Sequence, residues 1–163
     1  METNNIEVMK NIRKYTCIVT GFVIILLNSQ KISAQDINGM ELGKTYNYNY
    51  VINKFGTPDS YWSGNGEDGL NEEYYYGTNV FRFSDNGCLY SFTLKDNRFA
   101  AFTLDMQGGI IVGDPVTKFN QLGFGQLISR GNNHYEFKGC GDAKFDIYHN
   151  NGIITTMVCR FPS

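Results

Sequence analysis

Residues able to move protons at neutral pH are few in this chain. Its histidines are His134 and His149. Neither lies in a Gly-x-Ser-x-Gly, His-Glu-x-x-His or Walker pattern, which would set a nucleophile, a zinc pair or a phosphate cradle beside it. His149 opens the segment His-Asn-Asn-Gly at 149–152, where a turn calls for an exposed polar residue in any case. Cys140, His149 and Cys159 have zinc-ligand chemistry, but their expected positions at turns and strand ends do not bring all three together, and a disulfide explains the cysteines more simply. Glu67, Asp68, Glu72 and Glu73 suggest calcium, yet they lack the alternate acids and twelfth-position Glu of an EF-hand loop. These residues predict a protein that is not an enzyme, with no metal and no cofactor.

Aromatic side chains offer a different chemistry, that of contact. Tyr46, Tyr48, Tyr50, Tyr61, Trp62, Tyr74, Tyr75 and Tyr76 fall within thirty-one residues. A rigid ring with a polar end supplies contact area while its hydroxyl or indole nitrogen stays hydrogen-bonded, the composition favoured at protein interfaces. Tyr48 is expected to point into the core. The candidate binding residues are therefore Tyr46, Tyr50, Tyr61, Trp62, Tyr74, Tyr75 and Tyr76. Tyrosine also accumulates in antiparallel sheets through β-propensity alone, the competing explanation. A sugar site would need rings beside amides or carboxylates, and Trp62 with Asn65, Glu67 and Asp68 is the set that could supply it.

The element best specified by the sequence is a short helix over 47–55. Tyr48, Val51, Ile52 and Phe55 fall on one side of a 3.6-residue helix, Asn47 is a good N-cap, Gly56 suits a left-handed C′ position and Pro58 forbids continuation. Strands are predicted at 73–76, 80–83, 88–94 and 98–104, joined by turns at Asp85-Asn86-Gly87 and Lys95-Asp96-Asn97. The pattern then restarts. Ile110-Ile111-Val112-Gly113 precedes Asp114-Pro115, an N-cap and first-turn pair. Val116, Phe119 and Leu122 form a second apolar side ending at Gly123, and strands are expected at 126–129, 134–137, 143–148 and 153–160. The prediction is an α+β class of two tandem repeats, about 37–106 and 107–163. Each is a short helix followed by an antiparallel meander, and the two share one core or sheet.

Residues 1–34 read as a secretory signal peptide, leaving 35–163 as a single domain of 129 residues. Lys10, Arg13 and Lys14 precede an 11-residue apolar run at 17–27, which is too short to span about 30 Å of hydrocarbon, and Ala34 stands at the expected cleavage position. Met9 is an alternative start, and an uncleaved anchor is the competing reading. No membrane insertion is expected after cleavage. The remainder carries ten Lys/Arg against fourteen Asp/Glu, a net charge of −4 with no basic run, which disfavours nucleic acid as a partner. An oxidising compartment favours a disulfide among Cys88, Cys140 and Cys159. A hairpin folding about residue 150 would bring Cys140 opposite roughly residue 160, so Cys140–Cys159 is the expected bridge and Cys88 the free thiol. Three reduced, buried thiols are the alternative.

Leu42-Gly43, Val51, Phe55-Gly56-Thr57-Pro58-Asp59 and Phe81 to Phe83 with Asn86-Gly87 carry a resemblance. With them the chain resembles the SmpA/OmlA (BamE-like) envelope lipoprotein family and the tandem repeats of beta-lactamase inhibitory proteins. Its second unit departs by replacing the Gly-x-Pro exit with Gly123-Phe124-Gly125. The resemblance implies helix-plus-sheet repeats and non-covalent binding. The expected function is a secreted or periplasmic binding module acting by protein–protein contact, of inhibitor, immunity or envelope-assembly type, with an unknown protein partner. The alternative is a carrier of a peptide, glycan or small ligand in an aromatic cleft.

Overall fold

The computed structural model describes residues 36–65 and 70–161. The leader expected over 1–34, and Glu67 and Asp68 of the acidic loop, lie outside the described residues. A two-stranded pair, β1 (Asp36–Ile37) and β2 (Met40–Glu41), leads into helix α1 (Tyr48–Phe55). There follow β3 (Ser60–Ser63), β4 (Leu70–Tyr76), β5 (Asn79–Ser84) and β6 (Leu89–Leu94). A 3₁₀ helix (Val116–Leu122) then precedes β7 (Gln126–Gly131), β8 (His134–Lys138), β9 (Lys144–Asn150) and β10 (Ile153–Arg160). Eight strands form one antiparallel sheet in the order β3-β4-β5-β6-β10-β9-β8-β7. The chain leaves the sheet after β6, re-enters at the opposite edge, and works inward until β10 closes against β6.

The expected α+β class with two helix-then-meander repeats is overturned, because the described residues are mostly β and the two helices among them are short. Three local causes account for the difference. Asp114 does not cap a helix; its carboxylate accepts from the Ile111 N–H at 2.9 Å and pairs with Lys118 at 2.7 Å. Val116–Leu122 accordingly winds as 3₁₀ with no side-chain cap. The segment 98–104, expected as a strand, lies outside the sheet and meets the segment 110–113 through an isolated bridge between Ala101 and Ile110. Only Val51 of α1 is fully buried, so the helix lies at the rim of the core and does not cap its centre.

Alternation places the core on one face of the sheet. Asn79, Phe81 and Phe83 of β5 are buried, whereas Val80, Arg82 and Ser84 between them are half-exposed. The covering layer comes from the lead-in and the irregular connection, with Ile37, Met40, Phe99, Ala101, Phe102, Ile110 and Phe119 all buried. Phe81 and Phe99 meet at 4.9 Å at one end, and Phe102 packs within 5.8 Å of Phe119, Phe137 and Phe145 at the other. Phe92 on β6 touches Phe145 on β9 at 6.0 Å and makes the two clusters one core. Phe102 adopts φ +58°, which costs a bulky residue of order 1–3 kcal/mol and is offset by these ring contacts.

Asp36 holds the covering layer in place. Its carboxylate accepts from the N–H groups of Gly39 at 2.9 Å, Thr103 at 3.1 Å and Leu104 at 3.0 Å, and from the Thr103 hydroxyl. Asn38 adds a reciprocal pair with Ala100. Asp36 is buried, so a lost partner is not replaced by water. Asp36→Asn is expected to destabilise the fold by about 2 kcal/mol in chemical denaturation, because an amide cannot accept from all these donors at once.

Candidate functional site

The sheet ends at β3, an edge strand whose four residues are all exposed. It pairs with β4 in the register Ser60↔Tyr75, Tyr61↔Tyr74, Trp62↔Glu73 and Ser63↔Glu72. Alternation sends Tyr61 toward the covered face and Trp62 to the open one. On the covered side Tyr61 leans on Tyr74 at 5.3 Å and bonds Glu72 at 3.1 Å, and Tyr48 of α1 meets the same Tyr74 ring edge-on at 5.9 Å. Tyr50 stacks on Tyr46 at 5.1 Å, with the Lys54 ammonium 5.7 Å from its ring centre. Asn47 caps α1 by accepting from the Tyr50 N–H at 2.8 Å, so this helix turn and its rings are held together.

The seven residues expected to bind therefore do not form one surface. Tyr74 and Tyr76 are core residues. The Tyr76 hydroxyl donates to the Gly56 carbonyl at 3.0 Å, and burial pushes its pKa up to about 12. Burial, followed by the Glu72 carboxylate at 2.7 Å, raises that of Tyr74. Tyr46 is half-buried, its oxygen accepting from the Glu41 N–H at 2.8 Å. Tyr50 and Tyr61 remain exposed on the rim, joined by Tyr48, which sequence reasoning had placed in the core. Its stripe direction is inward, but its ring meets Tyr74 of β4 only edge-on and stays 52% exposed.

Trp62 and Tyr75 occupy the open face. The Trp62 ring lies over Gly64, where a Cβ would stand 2.8 Å from it, so the absence of a side chain at Gly64 is what admits the indole. Tyr75 bonds Glu73, which pairs with Arg82 at 2.8 Å. Burial alone would raise the Glu73 carboxyl; Tyr75 and Arg82 outweigh it and hold it below the usual carboxylate range. Further along the same face stands a charge cluster that the sequence did not reveal. Asp146, buried, contacts His134 at 2.8 Å, Arg160 at 3.3 Å and Lys144 at 3.5 Å. Glu136, directly across on β8, contacts Arg130 at 2.6 Å and also Lys138, and these two cations, Lys138 first, lower its pKa. The separate positions of these residues in the chain gave no signal; cross-strand register assembles them.

His134 is thus engaged in an ion cluster and stacked on Tyr148 at 4.6 Å, and His149 receives the Gly152 N–H at 3.3 Å while stacking on Tyr135 at 5.1 Å. Among the described residues no group of three His, Cys, Asp or Glu is placed to hold a metal, and no helix is long and apolar enough to cross a membrane. A hollow of about 180 Å³ lined by Phe119, Phe124, Leu127 and Phe137 lies beside β7 and includes none of the seven candidate binding residues. It is smaller than the roughly 300–1,000 Å³ of ordinary ligand pockets.

The Cys140–Cys159 disulfide is not formed in this structure. The hairpin register is offset from the expectation, pairing Cys159 with Phe145 and Arg160 with Lys144 and leaving Cys140 in the turn beyond β8. Burial raises the Cys140 thiol to about 12, with Asp105 adding to it, and burial and then the neighbouring Cys140 raise Cys159 further above its ordinary value. Cys88 is half-exposed and raised by burial alone. A higher pKa leaves less thiolate, so at about pH 8 mass-mapped iodoacetamide labelling of the native protein is expected to reach Cys88 well before Cys140 and Cys159. Comparison with protein-family models, with curated proteins and with solved structures finds no match to this chain.

Proposed function

We propose that this protein is a secreted or periplasmic, non-catalytic binding module that grips a protein partner through the aromatic rim formed by α1 and β3. The observation that carries the reading is the exposure of Tyr48, Tyr50, Tyr61 and Trp62, between 42% and 52% each, around one edge of a rigid sheet. Aromatic side chains dominate interface energetics, and a folded chain gains by covering them at about 25 cal/mol per Å² of apolar area. The Tyr50 backbone is held by Asn47, and Tyr61 by Glu72 and Tyr74, so a partner meets a partly preformed surface and less ordering entropy is lost on contact. β3 adds an edge to which a partner strand can pair.

The compartment is read from the leader over 1–34; the resemblance implies non-covalent binding, a class to which inhibitor, immunity and envelope-assembly proteins belong. Among the described residues the hollow beside β7 is small and lies apart from the rim, which lends the carrier alternative no support. The reading is tested by affinity capture from a periplasmic fraction with the wild-type chain and with Tyr61→Ala/Trp62→Ala. The double variant is expected to keep its melting temperature within about 3 °C, both residues being exposed. It is expected to bind the captured partner about 30-fold more weakly or worse. Equal capture by the folded variant would remove the rim from function.

A further inference from the structure

The cluster on β7–β10 inverts the charge balance of the chain around it. The segment 35–163 is net acidic, yet this part of the open face presents cations to solvent and hides its carboxylates. The side chains of Arg130, Lys138, Lys144 and Arg160 are 45%, 56%, 49% and 53% exposed, against 7% for Glu136 and 2% for Asp146. Glu136 and Asp146 sit opposite each other on neighbouring strands, and Lys144 sits opposite Arg160. Four adjacent strands spaced at about 4.8 Å spread the cations over roughly 15 Å. Like charges at this density repel one another. Two nearly dry carboxylates beneath them hold them together, while the outer surface stays positive.

We propose that this basic half of the open sheet face is a docking surface for an acidic protein. Charge complementarity selects that occupant: several exposed cations in a compact patch attract clustered Asp and Glu, raise the association rate and reject basic surfaces. The patch is too short to follow a nucleic-acid backbone, and an overall acidic domain repels one. Between the cations, Ile128, Val158 and Thr93 offer partly exposed contact area on the same face, in register with Glu136 and Asp146. This surface lies on β7–β10, at the opposite end of the sheet from the rim at β3 that includes Trp62, so the proposal rests on the protein being a binding module but can fail without that rim failing.

The test is calorimetric titration of the full secreted chain with poly-L-glutamate, a short DNA duplex and phosphatidylglycerol vesicles at about 20 mM and about 200 mM NaCl. Poly-L-glutamate is expected to bind at low salt and to weaken about tenfold at the higher concentration. Lys138→Gln/Lys144→Gln is expected to weaken it by about fivefold or more at low salt. In this variant Glu136 keeps Arg130 and Asp146 keeps Arg160 and His134, so the fold is retained. Lys44→Gln/Lys54→Gln and Tyr61→Ala/Trp62→Ala should leave poly-L-glutamate binding unchanged. As a readout on the unaltered chain, poly-L-glutamate should shield Lys138 and Lys144 from acetylation. No poly-L-glutamate binding, an equal loss in the Lys44/Lys54 pair, tighter binding to DNA or vesicles, or no shielding of the two lysines would overturn the proposal.

Discussion

The rest of the structure depends on the pairing of β6 with β10. Ser91, Phe92, Thr93 and Leu94 face Arg160, Cys159, Val158 and Met157, joining strands that are more than sixty residues apart in sequence. Through this ladder two sets of four strands become one sheet with one core. It brings Phe92 against Phe145 and places Ser91 and Arg160 side by side on the open face. Without the ladder each set would end in a central strand exposing both its backbone groups and its apolar side chains, which is costly and invites aggregation.

A one-sided sheet divides its residues between two tasks. The covered face takes the large aromatic and aliphatic side chains, closed over by the lead-in and the connection that Asp36 ties together. Among the described residues the open face has no such layer, and its central positions are protected by ion pairs and long side chains, as where Arg160, Lys144 and His134 shield Asp146. Exposed aromatics then concentrate where the covering layer runs out, at α1 and β3. Contact surfaces of two chemistries, one aromatic and one cationic, thus arise from the same architecture.

Much of the strand pattern was legible because period-two alternation is local: Phe81 and Phe83 against Val80 and Arg82 announce β5 without reference to any other segment. The N-cap at Asn47 was legible for the same reason. The segment 98–104 was misread because its residues favour strands, while Asp36 and Asn38, more than sixty positions away, draw its backbone out of the sheet. Asp114 has the residue type of a cap, but its carboxylate is engaged by Ile111 and Lys118. Of the aromatic candidates, Tyr61 and Tyr74 pair across β3 and β4 and share a face, yet one is exposed and the other buried; distance from the sheet edge decides this, and no spacing in the chain encodes it. The Asp146 cluster likewise exists only once four strands are in register.

Residue-level amide hydrogen exchange of the free protein tests the central role of the β6–β10 ladder most directly. The paired amides of β6 and β10 are expected to exchange last and together, by opening of the whole sheet, with β3 exchanging earliest among the eight strands. Rapid exchange along β6 and β10, with β3–β5 and β7–β9 protected to different degrees as two independent units, would contradict a single sheet built on that ladder.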